Sequence, residues 1–452
     1  MTYIFYDTET SGLNSAFDQI LQFAAIVTDD DFSIVEEVNL RGRRRPFILP
    51  SPGALMVTGI SPADFENAAL SHYELISEIR SLIERHAPAV MVGFNSISFD
   101  EGMLRQAFYQ TLHPTYLTQL NGNSRMDVMR LSHAVAEHKP QAINVPRNDK
   151  GRASFKLGDL SQANDIRLLN AHDALADTRA TLELARVLRD RAPDVWDMLL
   201  SARTKQSVKQ HLENNPIVVA TDQAFGTKTI LATPFTINPD NDAEVALFDL
   251  AHDPASYLEI DEPEAAKLLK RSPRIVRILK ANQLPIFRPA NAADFLNTGK
   301  EVALERARKV QTHKQFSETV AAALANRYED RELSQHVEEQ IFAGFPTFAD
   351  RKLMDQFHQL PWEERCEIVE KLQDSRLREL GSRVIYEERP ELLPEETVSR
   401  LDTHIRQRHA EFGEPPWTTR KMAERELLSL EAKTEEQRAL KRAIGDWLDR
   451  VD

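Results

Sequence analysis

The first ten residues constrain the fold of this chain most. Tyr3-Ile4-Phe5-Tyr6 is an apolar, largely aromatic run that reads as a strand, and it leads straight into Asp7-Thr8-Glu9-Thr10-Ser11-Gly12-Leu13. Side chains alternate along a strand, so Asp7 and Glu9 project from one face. Two carboxylates side by side at a strand end repel each other, and a divalent cation that bridges them relieves the repulsion. A solvated strand end explains a lone Asp-x-Glu equally well. The stretch also imitates the start of an EF-hand loop, with Asp18 at its twelfth position. EF-hand loops follow a helix and close on Glu, whereas this one follows a strand pattern and closes on Asp.

Further apolar runs cover 20–27 and Ala89-Val90-Met91-Val92-Gly93-Phe94, and helical spacing shows at Leu75, Ile79, Leu82 and Ile83 and again from Leu175 to Leu188. Nine of the 15 glycines lie before residue 160, which makes this part turn-rich. Strands alternating with helices predict a mainly α/β sheet. A helix should end near Arg191-Ala192-Pro193, and the polar stretch Ser201 to Asn215 marks a boundary. From Ile217 to about Pro289, short apolar runs separated by Pro, Asn and Asp predict a small β-rich domain with inserted helices. After about Pro346 the chain is dense in Glu, Arg, Lys and Leu. The capping box Thr434-x-x-Gln437 ahead of Leu440, Ile444 and Leu448 belongs to a helical bundle.

The length, 452 residues, fits about three domains at roughly 150 residues each. With 42% hydrophobic and 28% charged residues the chain can bury a core, which excludes collagen-like, low-complexity and wholly disordered classes. Its one cysteine, Cys366, excludes an internal disulfide and a cysteine zinc cage and fits a reducing compartment. No apolar run approaches the ~18 residues of a membrane span, and Met1-Thr2-Tyr3-Ile4 lacks the basic start of a signal peptide. A soluble, cytoplasmic protein is expected. The net charge, 56 − 70 = −14, speaks against a passive nucleic-acid coat but not against an enzyme with a local basic groove.

Two more acidic motifs follow. Asn95-Ser96-Ile97-Ser98-Phe99-Asp100 comes after the third apolar run, and Met103, Leu104, Ala107 and Phe108 then fall at helical spacing. Asp100 is thus placed as a natural N-cap. In His172-Asp173-Ala174-Leu175-Ala176-Asp177, the first and last residues converge if His172 sits in the approach loop and Asp177 in the first turns of the helix. A lone His before a helix is more often a plain loop residue.

Together, Asp-x-Glu, then Asp, then His-x4-Asp resemble the DEDDh superfamily of 3′→5′ exonucleases over about residues 1–190. With Ser154-Phe155-Lys156-Leu157, the β-rich middle and the helical end, nearly the whole chain resembles the bacterial exonuclease I family. The resemblance implies an α/β ribonuclease-H-like nuclease domain over 1–192, a Src-homology-3-like β-barrel domain with inserted helices over 193–345, and an all-α C-terminal domain over 346–452. It implies an exodeoxyribonuclease that releases 5′-mononucleotides from the 3′ end of single-stranded DNA in repair and recombination.

Asp7, Glu9 and Asp177 match direct ligands of two Mg²⁺ ions, for which Mn²⁺ can substitute. Asp100 matches the fourth carboxylate and His172 the general base. The chemistry suits these types, because oxygen ligands fit Mg²⁺ or Mn²⁺ and an imidazole takes a water proton near neutrality. Glu9, Thr10 and Leu13 match positions that hold the terminal nucleotide, and Lys156 matches a basic substrate position. Arg105, just over a turn beyond Asp100, is a candidate for a backbone phosphate. Leu13 reads equally as a core residue, and Lys156 and Arg105 as surface cations. Two basic clusters, Arg41, Arg43, Arg44 and Arg45, and Lys267 through Lys280, read as solvated faces or as walls of a DNA groove. One of them could instead receive the acidic C-terminal tail of a single-stranded-DNA-binding protein. A monomer is expected. The alternatives are a DEDDh exoribonuclease trimming RNA 3′ ends and a catalytically silent nucleic-acid-binding adaptor.

Overall fold

A computed structural model describes residues 1–167, 173–222, 228–327 and 332–451. The chain divides into two compact units. One comprises Met1–Ser124, Ile166–Glu183 and Leu333–Asp452, the other Arg125–Asp165 and Leu184–Glu332.

In the first unit the opening run extends over Thr2–Thr10 (β1), followed by Ile20–Thr28 (β2), Ile34–Arg41 (β3) and Ala89–Gly93 (β4). Asp7 and Glu9 lie within β1, so the EF-hand reading is excluded. β1 pairs antiparallel with β2 and parallel with β4. Parallel neighbours need a crossover, and this one carries the helix His72–His86. Ser71 caps that helix in a capping box with Glu74. Its stripe of Leu75, Ile76, Ile79, Leu82 and Ile83 shares a core with Ile4, Tyr6, Phe23 and Ala25 of the sheet. Each fully buried side chain of this size stabilises by about 1.5–3 kcal/mol. The helix Asp100–Gln110 closes the same core with Met103, Leu104, Ala107 and Phe108.

The C-terminal segment is helical, from Phe348–Gln359 through Trp362–Lys371, Ser375–Glu388, Glu395–Ala410 and Arg420–Ser429 to Glu435–Leu448. Thr434 and Gln437 form the expected capping box. A buried carboxylate ties the segment internally, with Glu338 bridging Arg383 at 2.8 Å and Arg408 at 2.6 Å. Each arginine of the first basic cluster has a partner within the chain. Arg41 pairs with Asp64, Arg44 with Glu66 and the buried Arg45 with Glu387, while Arg43 donates to the Ala68 and Ala69 carbonyls. Of the four, Arg45 is buried and structural, whereas Arg41 and Arg43 keep more than 40% of their side-chain surface exposed.

β5 (Ser124–Asp127) spans the boundary residue of the first unit and the start of the second. The short apolar runs of the second unit become β6 (Val218–Asp222), β7 (Lys228–Asn238), β8 (Asn241–Asp249), β9 (Val276–Lys280) and β10 (Ile286–Pro289). They form an antiparallel sheet in the order β10-β6-β7-β8-β9. Helices Lys300–Thr312 and Lys314–Ala325 bury Ala303, Ala307, Val310, Phe316 and Val320 in one core with Phe248 of β8 and Val276 of β9. The polar stretch after Ser201 is in fact mostly the helix Lys205–Asn214. Only Val208 and Leu212 are buried on it, too few to produce a visible period. Among the described residues, no helix is long and apolar enough to cross a membrane.

Burial pushes the Glu338 carboxyl up, but Arg383 and Arg408 outweigh it and bring it down to about 2. Burial pushes His358 down to about 3, so the folded chain favours its neutral ring. Both shifts have the same consequence for stability. The Glu338 contribution is complete above its ordinary 4.5 and is lost toward about 2, and that of His358 is complete above 6.5 and is lost toward about 3. Denaturant titrations should therefore show stability falling as pH drops below about 6.5. Glu338→Gln should lose on the order of 3–5 kcal/mol at pH 7, because it leaves the buried Arg408 guanidinium without its carboxylate and Arg383 with Glu379 alone. A pH-independent midpoint would contradict this reading.

Candidate active site

The acid cluster is built on the centre of the first sheet. Asp7 and Glu9 lie two residues apart on β1, with a register shift between Glu9 and Thr10 where the strand leaves its partner. Asp177 comes from the first turn of the helix Ala174–Arg191. That helix is capped by Asp173, whose Oδ1 accepts from the backbone N of Leu175 at 3.2 Å and of Ala176 at 3.3 Å. The other oxygen of Asp173 accepts from Gln22 Nε2 of β2 at 3.2 Å and lies 3.7 Å from Arg41 of β3. Thr178 Oγ1 also reaches the Ala24 carbonyl of β2, at 3.5 Å. The start of the helix is thus latched to the sheet, and one carboxylate oxygen each from Asp7, Glu9 and Asp177 fall within 4.8 Å of one another.

Asp100 is not the expected cap. Phe99 holds the N-cap position, and Asp100 is the first helical residue. Its carboxylate accepts from Thr8 Oγ1 at 2.5 Å, with Thr8 standing between the two acids of β1. The neighbouring Glu101 is buried and accepts from Tyr6 Oη at 3.0 Å and Thr118 Oγ1 at 2.8 Å, which pins this helix start to β1.

The electrostatics are those of like charges held close. Burial, then Asp100, Glu9 and Asp177, raises Asp7 well above the ordinary carboxylate range. Burial, then Asp177, Asp100 and Asp173, pushes Glu9 up to about 8. Divalent cations reverse this balance, since oxygen donors at this spacing are their usual ligands and their charge favours the ionised form. The donor set fits such an ion.

The remaining candidate residues are placed as follows. Leu13 is 85% exposed, which excludes the core reading. Thr10 is buried, and its hydroxyl donates to the Gly12 carbonyl at 2.8 Å. Arg105 lies over the Tyr116 ring at 5.2 Å, and Tyr116 neighbours Phe345 at 6.1 Å. Lys156 is exposed, at the N-cap of the helix Leu157–Ala163 in the second unit. His172 lies outside the described residues. Sequence reasoning missed Thr8, Asp173 and Gln22. An Asp just before an apolar helical run is a capping signal that could have revealed Asp173. It also missed Phe342, Phe345 and Phe348, which are 71%, 80% and 81% exposed within seven residues.

The family model described as exonuclease matches residues 4–185, which hold Asp7 and Glu9 on the sheet and Asp100 and Asp177 at two helix starts. The chain is therefore an exonuclease by class. The exonuclease I C-terminal domain model matches residues 335–451. Exodeoxyribonuclease I of Escherichia coli K12 is 30% identical over 373 residues, 78% of each chain. The crystal structure of E. coli exonuclease I with a dA16 oligonucleotide superposes with a TM-score of 0.87 at 27% identity, covering 100% of both chains. The zinc-bound form of the E. coli exonuclease I–single-stranded DNA complex gives 0.85 at 27% identity, covering 100% of this chain and 99% of that one. This chain belongs to the exodeoxyribonuclease I family and is an exodeoxyribonuclease.

Removing one charge from the cluster should stabilise the metal-free protein, so Asp7→Asn should raise its Tm. At a Mg²⁺ or Mn²⁺ concentration a hundredfold above its Kd, the unmodified protein should gain about 2.7 kcal/mol. Asp7→Asn should gain far less at the same concentration, as read by thermal unfolding with and without EDTA. Equal shifts in both proteins would place the ion elsewhere.

Proposed function

We propose that the chain is a Mg²⁺-dependent 3′→5′ exonuclease that degrades single-stranded DNA to 5′-mononucleotides and serves DNA repair and recombination. The convergence of Asp7, Glu9 and Asp177 carries this reading, in a chain whose structural neighbours were solved with single-stranded DNA. Asp7, Glu9 and Asp177 are the direct ligands of two Mg²⁺ ions, and Asp100, oriented by Thr8, supports them. When bound, the ions lower the pKa of the attacking water and neutralise charge at the phosphate. His172 takes the proton of that water as general base. The latch of Asp173 to Gln22 and Arg41 keeps Asp177 facing β1.

Leu13 stands exposed at the end of the acid-bearing strand, as a side chain that meets the terminal base would. Glu9 and Thr10 complete that end of the site, and Lys156 and Arg105 take backbone phosphates. Exposed aromatic faces beside a guanidinium are the usual platform for unstacked bases. Arg105, Tyr116 and Phe345 form such a ladder. The reading also includes a monomer in the cytoplasm. An acidic C-terminal tail from a single-stranded-DNA-binding protein docks on a basic surface, one of the Arg41–Arg45 and Lys267–Lys280 clusters.

A time course on end-labelled single-stranded DNA, its duplex and its RNA counterpart tests the reading. Mononucleotide should appear from the 3′ end of single-stranded DNA only, and EDTA should abolish it. Asp7→Ala and Asp177→Ala should abolish cleavage, and His172→Ala should slow it roughly 10²–10⁴-fold. Preferential RNA trimming, or binding without cleavage, would overturn it. Phe345→Ala should raise KM by about fivefold or more on ordinary oligomers, one lost base stack, and leave KM on an abasic oligomer unchanged. Equal effects on both substrates would remove Phe345 from the path.

A further inference from the structure

The loop joining β1 to β2 is tied down at nearly every residue, yet it holds one large apolar side chain in solvent. Within the loop, Ser11 N donates to the Gln19 carbonyl at 2.9 Å and Gln19 N donates to Ser11 Oγ at 3.0 Å. Asp18 clamps it from inside, accepting from Ser11 Oγ at 2.9 Å and from Asn14 N at 2.9 Å. The backbone closes directly on this carboxylate, since a Cβ on Gly12 would fall 2.4 Å from Asp18 Oδ2.

The C-terminal helical segment grips the same loop from outside. Asn14 Nδ2 donates to the Pro416 carbonyl at 2.9 Å. The buried Phe17 ring sits 5.3 Å from Trp417 and 5.7 Å from His336. The Arg408 guanidinium lies over both Phe17, at 5.0 Å, and Trp417, at 4.8 Å, while it pairs with Glu338 at 2.6 Å. Burying Phe17 against the half-buried Trp417 explains the stability of the contact. It does not explain why Leu13, between Gly12 and Asn14, is left 85% exposed on so rigid an arch.

We propose that the C-terminal segment sets the position of Leu13 relative to the acid cluster, acting through Asn14 and, across the Phe17–Trp417–Arg408 stack, through Asp18. Asn14 and Asp18 are positioning residues for the terminal nucleotide. This rests on the single-strand exonuclease reading above. Asp7 and Glu9 lie on β1 immediately before the arch, so a shift of the arch moves the contact for the terminal base relative to the acid cluster and displaces the reacting phosphate from it. Misplacements of about 1 Å at such a contact can change rates up to roughly 10²-fold. The C-terminal segment thereby influences cleavage through residues that need not touch DNA.

The test is steady-state kinetics on a single-stranded oligodeoxynucleotide for Leu13→Ala, Asn14→Ser and Asp18→Asn, and for the two doubles that contain Leu13→Ala. Serine at 14 can still accept from Ala16 N, as Asn14 Oδ1 does at 3.1 Å, but is too short to reach Pro416. Asp18→Asn is isosteric and gives up one of the two accepted bonds. Each single variant should lose on the order of tenfold in kcat/KM, chiefly in kcat, and Asn14→Ser should keep the Tm of the unmodified protein. Both doubles should be no worse than Leu13→Ala alone, since the arch has nothing left to position. Losses that multiply in full would overturn the inference and make Asn14 and Asp18 merely structural. An unchanged kcat/KM in Leu13→Ala would overturn it too, while leaving the exonuclease reading intact. Absence of metal-dependent single-strand cleavage by the unmodified protein would overturn both.

Discussion

The constraint on which the candidate site depends is that like charges are held together. Asp7, Glu9 and Asp177 converge in a partly buried place, where burial and the repulsion of Asp177 and Asp100 both favour the protonated forms of Asp7 and Glu9. A cluster of this kind has to be forced by the scaffold, because neither hydrogen bonding nor hydrophobic burial would assemble it unaided. β1 supplies two of the acids at no conformational cost, because strand alternation already points them the same way. The other two come from helix starts, where the positive end of the helix dipole favours a carboxylate.

The scaffold fixes those helix starts by short tethers to the same sheet. Thr8 and Tyr6 of β1 hold the Asp100–Glu101 turn. Gln22 of β2 and Arg41 of β3 hold Asp173. Three adjacent strands therefore carry both the acids and the anchors of their partners, and a single rigid sheet sets the cluster. The C-terminal segment adds a second set of ties to the β1–β2 loop, centred on buried charge: Arg408 between two aromatic rings and Glu338 between two guanidinium groups. The acid cluster and the helical segment thus belong to one compact unit, which links the conformation of the β1–β2 loop to residues about 400 positions away in the sequence.

Much of this was legible in the chain because it is written in local pattern. The Asp-x-Glu pair after a strand run, the stripe of Leu75, Ile79, Leu82 and Ile83, the short apolar runs of the second sheet and the Thr434–Gln437 capping box all follow from periodicity and capping chemistry. What was not legible depends on tertiary pairing. Four arginines within five positions look alike in sequence, and only the partner Glu387 reveals that Arg45 is a buried, structural one. Asp100 fits a cap by sequence, yet its carboxylate turns to Thr8, more than ninety residues earlier. Leu13 was ambiguous between core and surface because an apolar side chain after glycine carries no periodic signal. The helix Lys205–Asn214 was hidden because only two of its residues are buried.

The central claim is that the acid cluster works by direct metal contact with the phosphate being cut. Single-turnover cleavage of an oligodeoxynucleotide with sulfur replacing one non-bridging oxygen at the terminal linkage tests it most directly. Mg²⁺ binds sulfur poorly, whereas softer Mn²⁺ tolerates it. The account predicts slow cleavage of one phosphorothioate diastereomer with Mg²⁺ and recovery with Mn²⁺, after correction for the effect of each metal on the unmodified linkage. The same slowing with both metals would contradict it.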